Sequence, residues 1–208
     1  MSLILTSSIA VLIAYILGSI PTSYIMGKLV KGIDIRDFGS GNVGATNALR
    51  ILGTKYGVSA LVIDMLKGFI AIFIGKLLIN EPANLILILI GLAAILGHIF
   101  TIFLKFKGGK GVATSAGVFL ALTPIAFSIA FLVFILIVAI SKYVSLGSII
   151  ASIVLLVAEI IINLQNSFAD IEVLIMTVVI AFFVIIRHKA NIIRLKNGNE
   201  NKISFKKK

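Results

Sequence analysis

Two polar segments interrupt an otherwise apolar chain, and both carry residue types that bind anions. The first reads GSGNVGATN at 39–47, with Arg50 just beyond it, and the second reads KGGKGVATS at 107–115. Glycine lets backbone N–H groups approach a ligand closely, hydroxyl and amide side chains add neutral donors, and Arg or Lys adds charge. Both segments therefore predict binding of a phosphate or a similar anion.

The second segment differs from a nucleotide-binding P-loop, because its Gly-Lys is followed by Gly rather than by Ser or Thr. A glycine-rich turn that enters an apolar helix is nevertheless a general anion site. Lys110 supplies a full charge there and Thr114 a hydroxyl, whereas Lys105 and Lys107 are typical of lysines that touch lipid headgroups. For both segments, the alternative is a flexible or basic loop that binds no ligand.

A third polar segment, 187–200, begins where the last apolar run ends. Arg187, Asn191 and Arg194 recur at about one helical turn, and His188 adjoins them. An amphipathic helix on anionic lipid explains Arg194 but not His188 or Asn191, since neither is a strong lipid anchor. These two residues are therefore candidates for a polar site.

Four ionisable groups lie inside apolar runs, where they are costly unless paired. Asp64 and Lys67 are three residues apart and predict an ion pair on one helix, with substrate contact by Lys67 as the alternative. His98, near the end of its helix, either faces the same polar cavity or makes an interhelical hydrogen bond. Glu159 has no cation near it in the sequence.

The composition indicates a membrane protein. The 208 residues are 60% hydrophobic and only 13% charged, whereas a soluble domain is about 25% charged. The net charge of +11 does not predict nucleic-acid binding, because cytoplasmic loops account for most of it and no aromatic-rich or helix-turn-helix pattern accompanies it. The absence of Cys excludes disulfides, thiolate metal sites and Cys nucleophiles.

The apolar runs predict an all-α, polytopic membrane helix bundle of about seven transmembrane helices, with 1–208 forming a single domain. The first run has no basic residues before it and no polar domain after it, which favours a true span over a signal peptide. The segment 111–123 is too short for a simple span, so the count ranges from about five to seven. The predicted spans are 3–26, 56–79, 84–104, 111–123, 124–140, 146–163 and 171–186.

Charge asymmetry predicts the orientation. With this number of spans, nearly all of the 19 Lys and Arg residues fall on one side, which places the N-terminus outside and the C-terminus inside. The motifs 34–50, 105–115 and 187–200 then converge on the cytoplasmic face. The terminal run Lys206-Lys207-Lys208 is expected to contact anionic lipid.

Further motifs extend these segments along nearly the whole chain. They are Gly18-Ser19-Ile20-Pro21, Asp34-Ile35-Arg36, Asp64 to Gly68, Gly97-His98, Lys107 to Thr114, and Arg187-His188 with Asn191 and Arg194. Together with 39–50, they closely resemble the bacterial acyl-phosphate:glycerol-3-phosphate acyltransferase family. Thr101 is a departure, because many relatives carry Pro there, and it is expected to change only the path of the helix.

The resemblance implies an enzyme of the bacterial cytoplasmic (inner) membrane whose active site faces the cytoplasm. It implies acyl transfer from acyl-phosphate to the 1-hydroxyl of glycerol 3-phosphate, which gives 1-acyl-glycerol 3-phosphate (lysophosphatidic acid) and phosphate. This is the first acylation step of phospholipid synthesis. No metal or organic cofactor is implied, and the other implied partners are membrane lipid and, loosely, other enzymes of phospholipid synthesis.

The resemblance also implies roles for individual residues. The implied catalytic residues are Ser40, Arg50, Lys110, Ser145, His188 and Asn191. The implied phosphate- or substrate-binding residues are Ser40, Gly41, Asn42, Thr46, Asn47, Arg50, Gly108, Gly109, Lys110, Gly111 and Thr114. The implied structural residues are Asp64, Lys67 and Glu200. Our hypothesis is that His188 orients or polarises a substrate and that a substrate phosphate accepts the hydroxyl proton.

Two other classes of function are weighed against an enzyme. A transporter for an organic phosphate also uses broken helices and glycine-rich anion sites, but here the polar motifs lie on one side and no inverted repeat is visible. A lipid-binding subunit without catalytic activity leaves the many Gly, Ser, Asn and Thr positions unexplained.

Overall fold

The computed structural model describes residues 2–203, and all the regular structure in that range is helical. The helices are α1 Leu3–Ser19, α2 Thr22–Lys31, α3 Ala45–Leu52, α4 Thr54–Leu78, α5 Asn84–Ile99, α6 Val112–Leu122, α7 Pro124–Ser141, α8 Val144–Gln165, α9 Ile171–Arg187 and α10 Lys189–Lys196. Short 3-10 turns occupy Ile35–Asp37 and Ile102–Leu104. The predicted all-α fold is confirmed, while the predicted lipid contact of Lys206 to Lys208 lies outside the described residues.

Several of these helices are long and apolar enough to cross a membrane. The candidates are Leu3–Lys31, Thr54–Leu78, Asn84–Leu104, Pro124–Ser141 and Val144–Gln165, and the pair α9 and α10, bent by 55°, adds one more if it counts as one span. A helix satisfies its own backbone hydrogen bonds, which lipid cannot do. The large apolar side chains that remain exposed along these helices, such as Leu12, Phe73 and Leu132, suit contact with acyl chains.

Two segments differ from uninterrupted spans. The first apolar run, predicted as one span over 3–26, is broken, since α1 ends at Ser19 and α2 begins at Thr22. Pro21 lies at this break, where its missing N–H cannot continue the helix. Helix α6 has 11 residues, or about 16 Å at 1.5 Å per residue, roughly half of the ~30 Å hydrocarbon layer. The expectation that 111–123 is too short for a simple span is therefore confirmed.

The described chain forms two compact units that divide between residues 121 and 122. In the first unit, α1 packs along α5, and α4 packs against both of them. Glycines allow the close approach, because a Cβ atom at Gly18 would overlap the backbone of Ala94 and one at Gly97 would overlap the Tyr15 carbonyl. Small residues are the usual means by which membrane helices pack closely.

Helices α4 and α6 also meet backbone to backbone. A Cβ atom at Gly68 would overlap the carbonyl oxygen of Thr114, and one at Gly117 would overlap that of Met65. These two contacts place the first turns of α6, which follow the second glycine-rich segment, against the middle of α4.

A small apolar core lies under the first glycine-rich segment and anchors α3. The core joins the 3-10 turn before that segment to α3 and α4. Its buried members are Ile35, Val43, Ala48, Leu52, Ala60 and Leu104. Because apolar residues flank the polar loop at both ends, the loop has a fixed base.

In the second unit, α7 packs on α8, α8 packs on α9, and α10 contacts both α8 and α9. Glu159 is 2% exposed within this unit. Its carboxylate accepts a hydrogen bond from the Thr123 hydroxyl, and Thr123 immediately precedes Pro124 at the first position of α7. The buried carboxylate of Glu159 therefore obtains a hydroxyl as its hydrogen-bond donor, whereas no cation lies near it in the sequence.

Replacing Gly117 by Val is expected to destabilise the α4–α6 contact, because the new side chain overlaps the Met65 carbonyl. Overpacking of this kind costs about 2 kcal/mol, which thermal unfolding in detergent would register as a lower midpoint. The matched control is Ala139→Val on the exposed face of α7. Equal midpoints for the two variants would contradict the contact.

Candidate functional site

Asn47 organises the first glycine-rich segment from within. Its side-chain Nδ2 donates to the carbonyls of Ile35 and Phe38, both at 3.1 Å, and its Oδ1 accepts from the Ser40 amide at 3.0 Å. The residue is 1% exposed. The carboxamide predicted to bind substrate is therefore occupied by the loop backbone, whose shape it determines.

The turn that follows brings the chain to the start of α3. The Asn42 Oδ1 atom accepts from the Gly44 amide at 2.8 Å, and Gly41 adopts a φ of +68° that other residues rarely adopt. Beyond this turn, the Ser40 side chain is exposed, and Thr46 and Arg50 are half-buried. The side-chain donors of these three residues therefore lie at or near the surface of the segment.

Arg36, the other cation beside this segment, is held by Asp34. Its Nη2 lies 2.6 Å from Asp34 Oδ2 and its Nε 3.0 Å from Oδ1, and the guanidinium stacks 5.2 Å from the Tyr24 ring centre. The hydrogen bond from Arg36 lowers the pKa of Asp34 to about 2, and the same bond raises the pKa of Arg36. Because this pair is internally neutral, Arg50 is the better phosphate ligand of the two arginines.

The second glycine-rich segment is attached to the end of α5. The Gly108 amide donates to the Ile99 carbonyl at 2.9 Å, and the Gly109 amide donates to the His98 carbonyl at 3.0 Å. Gly111 then turns the chain into α6 with a φ of +86°. The amides of Gly108 and Gly109 are thus used to cap α5, so a phosphate at this segment would be bound by other groups.

The first turn of α6 offers such groups. Thr114 Oγ1 and Ser115 Oγ are buried and have no hydrogen-bond partner within residues 2–203. A buried hydroxyl without a partner costs free energy that a ligand oxygen can recover. Thr114 was predicted as a ligand and Ser115 was not, although its place one residue later on the same helical turn could have indicated it. Lys110 lies half-buried just before this turn.

A buried ionic cluster lies within the first unit. Lys67 Nζ and Thr22 Oγ1 each lie 2.8 Å from Asp64 Oδ1, and His98 Nδ1 lies 3.7 Å from the same atom. The expected Asp64–Lys67 ion pair is present, and His98 faces it. Lys67 is 4% exposed and also donates to the Ile20 carbonyl at 3.0 Å, which favours an ion pair over substrate contact. Thr22 was not predicted, since no local spacing relates it to Asp64.

In the second unit, Glu200 joins three polar side chains. Its Oε1 accepts from Asn191 Nδ2 at 2.8 Å and from Ser145 Oγ at 3.1 Å, and its Oε2 accepts from Arg194 Nε at 2.7 Å. Burial raises the pKa of this carboxyl, but the hydrogen bonds from Arg194, Asn191 and Ser145 outweigh burial and hold the pKa below its usual value. Glu200 thereby connects the start of α8 to α10.

His188 occupies the bend between α9 and α10. It is 3% exposed, and its Nδ1 lies 2.8 Å from the Val184 carbonyl oxygen. A carbonyl only accepts, so Nδ1 carries the hydrogen, and in the neutral ring Nε2 carries the lone pair. The predicted histidine is therefore oriented as a hydrogen-bond or proton acceptor at Nε2.

The structure brings the predicted residues together in groups. In the first unit, Asp64 lies close to Lys67 and His98, and the His98 carbonyl accepts a hydrogen bond from Gly109 of the 107–111 loop. In the second unit, Ser145 and Asn191 share one oxygen of Glu200, while the His188 side chain bonds within α9. These polar groups lie in a chain with several helices long and apolar enough to cross a membrane, which is typical of an integral membrane protein.

Sequence comparison then identifies the family. Residues 8–198 match the family described as glycerol-3-phosphate acyltransferase, and the chain belongs to this family. It is a membrane-embedded acyltransferase of lipid biosynthesis, which excludes the transporter and the lipid-binding subunit as primary functions.

Individual relatives are similar to this chain over nearly its full length. The glycerol-3-phosphate acyltransferase of Trichlorobacter lovleyi is 51% identical over 91% of this chain and 93% of its own. That of Fusobacterium nucleatum subsp. nucleatum is 46% identical over 94% of this chain and 97% of its own. A crystal structure of PlsY, an integral membrane glycerol 3-phosphate acyltransferase, in its glycerol 3-phosphate form has 41% identity and a TM-score of 0.84 over 95% of this chain and 96% of that one. Its lysophosphatidic acid form has a TM-score of 0.82, with 96% of each chain covered.

The Glu200 cluster predicts a pH-dependent contribution to stability. Because the folded-state pKa is lowered, the contribution is complete above the unfolded pKa of about 4.5 and is lost as the pH falls through the lower folded value. Glu200→Ala should lower the free energy of unfolding by about 2–3 kcal/mol near neutral pH, because hydrogen bonds to a buried charge are lost. Thermal unfolding of both proteins between about pH 7 and pH 3 measures the difference, which should shrink at the acid end. A difference that stays constant with pH would contradict the role of the ionised carboxylate.

Proposed function

We propose that this chain transfers a fatty acyl group from acyl-phosphate to the 1-hydroxyl of glycerol 3-phosphate. The products are lysophosphatidic acid and inorganic phosphate, and the reaction is the first acylation of phospholipid synthesis. The observation that carries the proposal is the full-length similarity to PlsY, whose two structures are described as its glycerol 3-phosphate and lysophosphatidic acid forms. These two molecules are an acceptor and a product of such a transfer.

For the membrane topology, we propose seven spans in a single domain of the bacterial inner membrane. This count includes the short α6 and treats α9 with α10 as one bent span. The N-terminus would lie outside and the C-terminus inside, so that the three polar motifs face the cytoplasm. The bias of Lys and Arg toward alternate loops supports this orientation.

Phosphate binding is assigned to the polar side chains that are not used to shape the loops. In the first segment these are Ser40, Thr46 and Arg50, while Gly41, Asn42 and Asn47 shape the loop. In the second segment, Lys110 and Thr114 would bind the phosphate of glycerol 3-phosphate at the start of α6, where the helix dipole also favours an anion. The buried Thr114 hydroxyl, which has no hydrogen-bond partner within residues 2–203, supports this assignment. Gly108, Gly109 and Gly111 would form the loop that presents these groups.

The chemistry is a direct displacement at the acyl carbon. The 1-hydroxyl oxygen forms a bond to that carbon, the carbon–oxygen bond to phosphate breaks, and its electron pair leaves with the phosphate. A substrate phosphate oxygen takes the hydroxyl proton. Since phosphate is a good leaving group, placement of the reactants and stabilisation of charge by Arg50 and Lys110 can supply most of the acceleration.

The resemblance also assigns roles to residues of the second unit. Asn191 and Ser145 would each present a polar group whose position is set by Glu200, which we assign a structural role. His188 would orient or polarise a substrate through Nε2, because Nδ1 is bonded to the Val184 carbonyl. The partners are acyl-phosphate, glycerol 3-phosphate and membrane lipid, with loose association with other enzymes of the same synthesis.

The identity of the acyl donor distinguishes this reaction from transfer that depends on acyl-CoA. Purified protein in detergent is incubated with labelled glycerol 3-phosphate and either acyl-phosphate or acyl-CoA. We expect lysophosphatidic acid and an equal amount of inorganic phosphate from acyl-phosphate, and no product from acyl-CoA. If only acyl-CoA gives product, acyl-phosphate is not the donor. If neither donor gives product, the proposed function is overturned.

The role of His188 is tested by two substitutions. We expect His188→Ala to lower kcat about 100-fold, within the range for loss of a polar catalytic group, and His188→Gln to retain more activity, because its amide also provides a polar group near the position of Nε2. Lys189→Ala, at the exposed neighbouring position, is the control.

Other outcomes of this test would contradict a direct transfer with an orienting histidine. Total loss in both His188 variants, with glycerol 3-phosphate binding unchanged, would make His188 the general base. A trapped acyl-enzyme would replace direct transfer by a covalent mechanism.

A further inference from the structure

We propose that Asp64, Lys67 and His98 are positioning residues for the loop 107–111 and hold its backbone in the shape that receives phosphate. The inference rests on the proposed function, because the phosphate in question is that of glycerol 3-phosphate. It assigns these buried groups a role in substrate affinity in addition to the stability of the helix bundle.

His98 contacts the loop with both its backbone and its ring. Its carbonyl accepts from the Gly109 amide at 3.0 Å, and a Cβ atom at Gly109 would overlap Nε2 of the imidazole. The next carbonyl, that of Ile99, accepts from the Gly108 amide at 2.9 Å. The path of the loop just before Lys110 therefore follows the position of the His98 side chain and the end of α5.

Asp64 faces this ring and favours its orientation through electrostatic attraction. The Nδ1 edge of His98 lies 3.7 Å from Asp64 Oδ1, so the ring stands between the carboxylate on one side and Gly109 on the other. A carboxylate beside one ring nitrogen orients an imidazole and fixes what its other nitrogen contacts. The contacts thus run from Asp64 on α4, through His98 on α5, to the glycine loop.

Lys67 and Thr22 in turn hold the carboxylate. Both lie 2.8 Å from the same oxygen, Asp64 Oδ1, and Lys67 also bonds to the Ile20 carbonyl at the break between α1 and α2. Charged pairs within a membrane span are expensive, and apolar side chains of similar volume often replace buried pairs without loss of stability. A role in shaping the phosphate loop gives this pair a function that apolar packing does not provide.

His98 is the best position for a test, because removing Asp64 or Lys67 leaves the other charge buried and endangers folding. Asn places its amide near the position of Nδ1, whereas Gln reaches the position of Nε2, next to Gly109. We expect His98→Asn to raise KM for glycerol 3-phosphate at least about 10-fold, with KM for acyl-phosphate changed less than about twofold. His98→Gln should recover part of the loss. Equal increases in both KM values, or no increase in either, would overturn the proposal.

The matched control is Thr177→Val in the second unit. Thr177 is fully buried, and its hydroxyl donates to the Val173 carbonyl at 2.8 Å, so the variant loses a buried hydrogen bond remote from the glycine loop in the sequence. We expect a change in thermal midpoint comparable to that of His98→Asn, without the change in KM for glycerol 3-phosphate. A similar KM effect in the control would assign the His98 result to general destabilisation and overturn the proposal.

A double-mutant cycle tests the contact between the ring and Gly109. Gly109→Ala should raise KM for glycerol 3-phosphate, because its Cβ overlaps the imidazole. Combining it with His98→Ala removes the obstructing ring, so the double variant should have a KM no higher than that of His98→Ala alone. Fully additive increases in KM from the two substitutions would contradict the contact between the imidazole and Gly109.

Hydrogen exchange separates this inference from the proposed function. Exchange in a peptide covering 105–112 of the full-length protein should be faster in His98→Asn than in the wild type, because the loop is held less firmly against the carbonyls of Ile99 and His98 that accept from the Gly108 and Gly109 amides. Unchanged exchange overturns the positioning role whether or not the wild type makes lysophosphatidic acid. If His98→Asn exchanges faster than the wild type but the wild type makes no lysophosphatidic acid, only the proposed function is overturned.

Discussion

The organisation of this protein follows from the inability of lipid to form hydrogen bonds. Each polar group at membrane depth needs a partner from the chain itself. Asp64 obtains Lys67 and Thr22, and Glu159 obtains Thr123. Lys67 lies on the same helix as Asp64, but the two threonines come from other stretches of chain near a helix end or break. Their hydrogen bonds to the carboxylates therefore also help to fix the packing of the surrounding helices.

The same constraint explains why the glycine-rich loops are so closely tied to helix ends. The last carbonyls of a helix need donors, and at the end of α5 these are the amides of Gly108 and Gly109. Only residues without a Cβ atom fit there, because a side chain would overlap the His98 and Ile99 carbonyls and the imidazole. The loop therefore terminates one helix and starts the next, and Lys110 and Thr114, the groups that we propose to bind phosphate, follow these two glycines.

Local patterns in the sequence were sufficient for part of this picture. Apolar run lengths predicted the helices, the three-residue spacing predicted the Asp64–Lys67 pair, and the end of the last run located His188. The break at Pro21 was less visible, because its neighbours Ile20 and Thr22 interrupt the hydropathy of the first run little. The contacts of Thr22 with Asp64, of His98 with Gly109 and of Asn47 with its own loop depend on tertiary structure, which spacing along one helix does not encode.

Preorganisation is the property that these separate polar groups share. His188 is oriented by the Val184 carbonyl, Asn191 and Ser145 by Glu200, and Ser40 by the Asn47 carboxamide. In a reaction whose leaving group needs little assistance, a catalytic gain comes chiefly from groups that do not have to reorganise when charge develops. A chain that holds its polar groups in place through its own hydrogen bonds meets this requirement, and here most of the groups that are held are neutral. The sparse ionisable groups of the sequence are therefore consistent with catalysis by placement rather than by strong acids and bases.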